Sequence, residues 1–228
     1  MQERPSPSLL WSDDTTPVAE AFDDPYFAFG DGAAESSHVF LDGNGLPDRA
    51  RAGFSIAELG FGTGLNLIVA ARACAGVCAT SGGRMRFTSF EAFPMRSPDM
   101  ARALSRWPDL GPWAEPLVEH IEQGREVFPL GPFDVRLVIG DARDTLPAWP
   151  GKADAWFLDG FSPARNPELW GEALMQAVAD HTTPGGTFAT YTAAGHVRRA
   201  LATAGFEVQR TPGFGRKRHM SRGQLSGV

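Results

Sequence analysis

The sequence lacks the features that mark a membrane or secreted protein. No stretch reaches about 18 consecutive uncharged apolar residues, the length that a membrane-spanning helix requires. Residues 1–20 contain no apolar segment of the kind found in signal peptides, so we expect a cytoplasmic protein. The two cysteines, Cys74 and Cys78, lie four residues apart in a predicted helix. This spacing in a cytosolic protein favours buried, reduced thiols over a disulfide or a metal site.

The composition is that of an ordinary globular domain. The 228 residues are 43% hydrophobic and 21% charged, enough for one α/β domain with a sizeable core. The net charge of −6, taken as a whole, argues against a nucleic-acid partner. From His196 to Val228, however, seven basic residues stand against one acid, Glu207, which predicts either a polyanion-binding face or a solvated basic tail. The seven are Arg198, Arg199, Arg210, Arg216, Lys217, Arg218 and Arg222.

Strand-like and helix-like runs alternate from Ser55 onward, the pattern of a doubly wound α/β sheet. We therefore predict a Rossmann-like domain over residues 52–228, with mostly parallel strands and a final hairpin. In S-adenosyl-L-methionine (SAM)-dependent methyltransferases, such a hairpin completes a seven-stranded sheet whose last strand is antiparallel. Residues 1–51 are predicted to form an N-terminal extension with a short strand around His38 to Leu41. This extension is interpreted as a stabilising arm or as a cap that supplies aromatics and acids to a substrate.

A glycine-rich loop follows the first strand of this domain. Gly60, Gly62 and Gly64 alternate in the run Ser55 to Asn66, directly before a helix-like segment. Glycines there allow sharp turns and close approach of a ligand to the backbone, as in sites for NAD, FAD or SAM, although some glycine clusters are only tight turns. Glu58, two residues before the first glycine, favours SAM, because a carboxylate suits the cationic amino-acid end of that cofactor.

Carboxylates end two further strands at the edge where open α/β sheets bind ligands. Glu91 follows the run RFTSF and is predicted to hold the two hydroxyls of a ribose. Asp141, beside Ala142, closes the run VRLVIG and is interpreted either as an acceptor for an adenine amino group or as a helix cap.

A third strand ends in the segment DGFSP, Asp159 to Pro163. This segment is similar to the Asp/Asn-Pro-Pro-aromatic segment of amino-group methyltransferases. A carboxylate there can orient an attacking amine and accept its proton, so Asp159 is the predicted catalytic residue. The alternative interpretation is a strand-end aspartate that caps the next helix.

Several motifs together resemble the methyltransferase domain of the MnmC tRNA-modification enzymes. The resemblance covers about Leu10 to Arg222 and departs from the family pattern at Ala92 and His196, which removes no group that the chemistry needs. The motifs are ELGFGTGLN, SFEAFP, DAWFLDGFSPARNPELW, GGTFATYTAAGHVRRAL and GFGRKRHM, with FDDPYF and ESSHVFLDGNGL in the extension.

The resemblance implies SAM-dependent N-methylation of 5-aminomethyl-2-thiouridine at the tRNA wobble position. It places the SAM loop on Glu58 to Asn66, including Thr63, the ribose carboxylate on Glu91 and the catalytic segment on Asp159 to Pro163. No second glycine-rich nucleotide loop is present, so we expect a standalone methyltransferase and any FAD-dependent oxidase as a separate polypeptide.

The predicted partner is the tRNA anticodon arm. Phe161, with Tyr26 or Phe27, is expected to stack on the wobble base. Phosphates are expected to meet basic side chains, namely Arg198, Arg199, Arg216, Lys217 and Arg218. The alternatives are a methyltransferase for a small amine, a non-catalytic tRNA-binding module and, more distantly, a nicotinamide oxidoreductase.

Overall fold

A computed structural model describes residues 6–77 and 82–227, so Cys78 and the chain ends at 1–5 and 228 lie outside the described residues. Within these residues an eight-stranded sheet forms the centre of the chain. In chain order its strands are β4 (Ser55–Leu59), β5 (Met85–Glu91), β6 (Val127–Leu130), β7 (Phe133–Ile139), β8 (Ala153–Leu158), β9 (Thr182–Thr190), β10 (Phe206–Pro212) and β11 (His219–Leu225).

The spatial strand order is β10-β11-β9-β8-β4-β5-β7-β6. The pairs β7–β5, β5–β4, β4–β8 and β8–β9 are parallel, whereas β11 runs antiparallel to both of its neighbours. The predicted mostly parallel sheet with an antiparallel last strand is therefore confirmed. All five residues of β4 are buried, as expected for a central parallel strand covered on both faces.

The predicted count of seven strands is one too low. The additional strand, β6, forms an antiparallel hairpin with β7 at the outer edge of the sheet. Its sequence VFPL has the alternating exposure of an edge strand, but four residues that include Pro129 carry a weak strand signal. Proline donates no backbone hydrogen bond, and an edge strand is where this loss is tolerated.

Helices cover both faces of the sheet, and side-chain alternation along the strands separates two cores. On one face, Ile56 and Phe157 pack with α2 (Leu65–Ala73), α3 (Ser97–Leu104) and α4 (Gly111–Glu122). On the other face, Ala57 and Trp156 pack with α6 (Glu172–Asp180) and α7 (Gly195–Thr203). A shorter helix, α5 (Ala142–Thr145), follows β7. In the described part of the chain, no helix has both the length and the apolar character needed to cross a membrane.

The N-terminal segment has its own small sheet, formed by β1 (Leu9–Trp11), β2 (Pro17–Ala19) and β3 (Asp24–Pro25). It continues into α1 (Gly32–Ser36) and a π-helical stretch, Ser37–Asp42. The predicted strand around His38 to Leu41 is therefore wrong. A short run of consecutive apolar residues fits a buried helix turn as well as a strand, and Phe40 here stacks on Phe157 at 5.2 Å.

A buried hydrogen-bond cluster joins this segment to the main sheet. Asn44 is buried and donates from Nδ2 to the carbonyls of Phe40 (3.0 Å) and Trp156 (3.2 Å). Its Oδ1 accepts from Thr187 Oγ1 at 2.6 Å, and the same hydroxyl accepts from Arg49 Nη1 at 2.7 Å. Buried polar groups of this kind are costly to leave unpaired.

We expect Asn44→Ala to lower the free energy of unfolding by about 2–4 kcal/mol, because it removes the hydrogen bonds that this buried side chain makes to β8 and β9. Urea denaturation measures this loss. Asn166→Ala is the matched control, since the Asn166 side chain makes no helix-capping hydrogen bond, and it should change stability by less than about 0.5 kcal/mol. Equal stability of Asn44→Ala and the parent protein would contradict a structural role for this cluster.

Candidate active site

A cavity of about 870 Å³ opens at the carboxyl ends of β4, β5 and β8. Open α/β sheets bind ligands at this edge. Its walls come from the glycine loop, the N-terminal segment, the residues after β8 and the turn between β10 and β11. Many of the sequence-predicted site residues line this cavity. They are Gly60, Gly62, Thr63, Asn66, Glu91, Asp159, Phe161, Tyr26, Phe27, Arg216 and Lys217.

The glycine loop forms the floor of this cavity. Gly60, Gly62 and Gly64 have φ angles of 85°, 53° and 75°, which L-residues with side chains rarely adopt. A Cβ on Gly60 would lie 3.1 Å from Gly160 Cα, so the loop after β4 packs directly on the backbone that follows β8. Gly64 begins α2 as its N-cap and packs away from the cavity, toward Leu117.

Glu91 lies at the end of β5 and faces the loop. Its Oε2 accepts from the Gly62 N–H at 2.9 Å, and its Oε1 accepts from the Phe93 N–H at 2.7 Å. Burial raises the pKa of Glu91, an effect that these backbone donors oppose. Each carboxylate oxygen keeps capacity for a further donor, which suits the two hydroxyls of a ribose.

Asn66, in the first turn of α2, is the centre of a buried hydrogen-bond network. Its Nδ2 donates to Glu58 Oε1 at 2.9 Å and to Asp159 Oδ2 at 2.8 Å. Its Oδ1 accepts from Ser36 Oγ at 2.6 Å. One amide therefore connects β4, the end of β8 and the N-terminal α1, and the sequence spacing of these residues gives no sign of this arrangement.

Glu58 does not line the cavity. The residue is fully buried, and its Oε2 accepts from Ser89 Oγ at 2.6 Å. Burial raises the pKa of Glu58 well above its ordinary value, an effect that the hydrogen bonds from Ser89 and Asn66 oppose. This placement favours a positioning role through Asn66 over the direct cofactor contact predicted from the sequence.

Asp159 is partly buried at the carboxyl end of β8. Its Oδ1 accepts from the Gly160 N–H at 2.8 Å, while its Oδ2 is held by Asn66. Burial raises the pKa of Asp159 to about 6, although these donors and the charge of Lys217 favour the ionised form. Asp159 is therefore mostly ionised above pH 7 and can accept a hydrogen bond from a nearby amine.

Three further side chains at this end of the cavity were not predicted as site residues or were given another role. Lys217 Nζ pairs with Glu35 Oε1 at 2.8 Å and lies 4.2 Å from the centre of the Tyr191 ring. Tyr191 Oη donates to the Gly160 carbonyl at 2.8 Å. The position of Tyr191 directly after the strand β9 was a usable signal, whereas Glu35 is brought here only by the fold.

Aromatic rings form the mouth of the cavity. Phe161 stacks on Phe22 with ring centres 4.5 Å apart and meets the Tyr26 ring edge-on at 5.1 Å. Phe22 was not predicted, because single aromatics in an irregular segment carry little signal. Phe27 also lines the cavity, but it is buried against Trp107 at 4.8 Å and exposes less of its ring than Phe161.

Several predicted residues lie outside this cavity, namely Glu58, Gly64, Asp141, Ala142, Pro163, Arg198, Arg199 and Arg218. Asp141 caps α5 by accepting from the Arg143 N–H at 2.9 Å and pairs with the Arg143 guanidinium at 2.6 Å. The cap interpretation of Asp141 is therefore correct, and the adenine contact remains a prediction.

The predicted phosphate-binding residues differ in their surroundings. Arg199, Arg216 and Arg218 are exposed, and no ion pair involves them among residues 6–77 and 82–227. Arg198 donates from Nε to the Ala193 carbonyl at 3.3 Å and lies beside Arg199 in a separate pocket of about 230 Å³. Lys217 is exposed but pairs with Glu35, and its phosphate contact remains a prediction.

Residues 110–226 match a family of S-adenosyl-L-methionine-dependent methyltransferases, and the chain belongs to that family. It is also similar to two curated relatives named tRNA 5-methylaminomethyl-2-thiouridine biosynthesis bifunctional protein MnmC. Identity is 43% to the Chromobacterium violaceum protein, over 96% of this chain and 34% of the relative. Identity is likewise 43% to the Caulobacter sp. (strain K31) protein, over 100% and 40%. The chain thus spans about a third to two fifths of these relatives.

A solved structure agrees with this relationship. The crystal structure of MNMC2 from Aquifex aeolicus has a TM-score of 0.77 and 26% sequence identity, over 100% of this chain and 73% of that chain. The fold is thus that of a class I SAM-dependent methyltransferase. The cavity fits the cofactor, because bare glycine backbone forms its floor and Glu91 presents a carboxylate at the end of β5.

We expect Glu58→Gln to fold with unchanged or higher stability at pH 7, because a neutral amide can still bond Ser89 and Asn66. The folded pKa of Glu58 lies above its ordinary value of 4.5, so parent stability falls as pH rises above that value. The glutamine variant lacks this titration, and its advantage in urea denaturation should grow with pH.

Glu58→Ala is the matched comparison and should lose about 2–4 kcal/mol of unfolding free energy. It removes the hydrogen bonds to two buried partners and leaves an empty space where the side chain was. A glutamine variant as unstable as the alanine variant would show that the network needs the Glu58 carboxyl group itself.

Proposed function

We propose that this protein transfers the methyl group of SAM to the primary amine of 5-aminomethyl-2-thiouridine at the tRNA wobble position, giving 5-methylaminomethyl-2-thiouridine. The observation that carries this proposal is Asp159, a base with a raised pKa that lines a cavity beside the glycine loop. The names of the two MnmC relatives support the same product.

The cofactor would lie on the glycine loop, and when bound it supplies an electrophilic methyl group. Glu91 would accept the two ribose hydroxyls, as its position at the end of β5 supports. The loop residues Gly60, Gly62, Thr63 and Asn66 would face the rest of the cofactor, with Glu58 and Gly64 acting through the shape of the loop. Asp141 and Ala142 would reach the adenine from the next strand end.

Asp159 would prepare the amine for attack. An alkylamine is largely protonated near neutral pH, so its lone pair must be freed before it can form a bond to carbon. Each oxygen of Asp159 already accepts one hydrogen bond and can accept another from the amine. Asp159 would take the proton that the amine releases and aim the lone pair along the line of transfer.

The wobble base would enter through the aromatic mouth. Phe161 is supported from behind by Phe22 and from the side by Tyr26, so its remaining face is held rigidly for stacking. Pro163 lies two residues after Phe161 and would stiffen this segment. The base must leave the anticodon stack to reach a cavity of this depth.

The exposed arginines of the C-terminal region would hold phosphates of the anticodon arm. Arg216 lies at the cavity, and Arg199 and Arg218 are also exposed, in a protein whose overall charge is −6. Phosphate contacts place an RNA without selecting its bases. A cytoplasmic location and an FAD-dependent oxidase that supplies the amine belong to the same proposal.

We expect one added methyl on the aminomethyl nucleoside of tRNA incubated with SAM, detected by nucleoside digestion and mass spectrometry. Asp159→Asn keeps a hydrogen-bonding side chain but cannot act as a base, so its rate should fall by at least about 100-fold. The parent rate should fall as pH drops through about 6, because Asp159 becomes protonated. Bound SAM with no methylated nucleoside would reject the substrate and leave the family assignment in place.

Arg216→Ala and Arg218→Ala together should weaken tRNA binding and reduce the slope of log affinity against log salt by about 2, one for each lost phosphate contact. Filter binding over a range of salt concentrations measures both quantities. Arg136→Ala is the matched control, because Arg136 is exposed on β7 in the opposite half of the sheet. Equal slopes in all three proteins would exclude these arginines as phosphate contacts and favour a small-amine substrate.

A further inference from the structure

An ion pair joins the N-terminal segment to the C-terminal hairpin across the cavity. Glu35, in α1, and Lys217, in the turn between β10 and β11, meet at 2.8 Å, and both line the cavity. The Glu35 side chain is 12% exposed and that of Lys217 is 45% exposed, so the contact is partly shielded from water. Partial shielding makes such a pair stronger than a surface pair of the same geometry.

The turn that carries Lys217 is short and well defined. Within residues 213–218, the Gly213 N–H donates to the Arg218 carbonyl at 3.2 Å and the Lys217 N–H donates to the Phe214 carbonyl at 3.0 Å. We call this segment the 213–218 turn. Lys217 rests on the Tyr191 ring, and Tyr191 in turn bonds the carbonyl of Gly160, the residue after Asp159. A continuous set of contacts thus runs from the turn to the catalytic segment.

The charges around Asp159 come from several elements. Lys217 lowers the pKa of Asp159, and Glu35 raises it. Glu58 faces Asp159 from β4, and Glu91 faces Glu58 from β5, but burial raises the pKa of both glutamates. Burial raises the pKa of Tyr191, and the charge of Asp24 adds to that effect, so the Tyr191 hydroxyl stays neutral. Lys217 and Glu35 therefore act on Asp159 in opposite directions, from two segments far apart in the chain.

We propose that Glu35 and Lys217 are a positioning pair that seats the 213–218 turn on Tyr191 and applies two opposing charges to the Asp159 carboxyl group. The inference rests on the proposed function for its catalytic meaning. Arg216 and Arg218 flank Lys217 in the same turn. Phosphates that bind those arginines therefore also contact the turn whose charge acts on Asp159. RNA binding is thereby linked to the protonation state of Asp159.

The test is a pH titration of the Asp159 carboxyl carbon by ¹³C NMR, with the signal assigned by its loss in Asp159→Asn. The midpoint near pH 6 in the parent protein should rise by about one pH unit in Lys217→Met and fall in Glu35→Gln. The double variant should return close to the parent value. Lys217→Arg, which keeps the charge, should restore the midpoint, and Arg222→Met should leave it unchanged as a control cation elsewhere on the hairpin.

The proposal would be overturned if the midpoints did not move or if they moved in the same direction in both single variants. It would also be overturned if the midpoint moved equally in Lys217→Met and Lys217→Arg. This titration needs no substrate, so it decides the positioning role even if the parent protein transfers no methyl group to aminomethyl tRNA. That second result would reject the proposed function alone. If the parent protein is active, the pH at which log kcat/KM falls on the acid side of its profile should shift in each variant. The shift should have the same size and direction as that of the NMR midpoint.

Discussion

The site depends on the single side-chain amide of Asn66. Both of its Nδ2 hydrogens are used, one by Glu58 and one by Asp159, while its oxygen accepts from Ser36. An amide is planar, so fixing one of these contacts fixes the direction of the others. The end of β8, the core of β4 and the N-terminal segment are thereby held in one geometry, and Asp159 can be placed only where this amide allows.

This constraint explains how a buried carboxyl group can influence chemistry that it does not touch. Glu58 has no surface in the cavity, yet it determines the orientation of Asn66 and hence the hydrogen bond to Asp159. Gly60 adds a steric condition, because the backbone after β8 leaves no room there for a side chain. The position of Asp159 is thus determined by the Asn66 amide and by the glycine loop that packs on the backbone after β8.

The sequence predicts the parts of the molecule that depend on local pattern. Buried parallel strands appear as apolar runs, the loop as alternating glycines, and the ligand-binding edge as carboxylates after Phe90 and Leu158. It does not predict contacts between distant segments, such as Glu35 with Lys217 or Ser36 with Asn66, because nothing local records a partner. The π-helical run at Val39 and the proline-containing β6 were missed because their local patterns are ambiguous or weak.

The outermost strand β6 also bears on how this protein behaves at high concentration. An exposed strand edge offers unpaired backbone groups to which another chain can add. In β6 the run is only four residues long, and Pro129 has no N–H to offer to a neighbouring molecule. The same proline that obscured the strand in the sequence therefore acts against edge-to-edge aggregation, although Val127 leaves an apolar side chain exposed there.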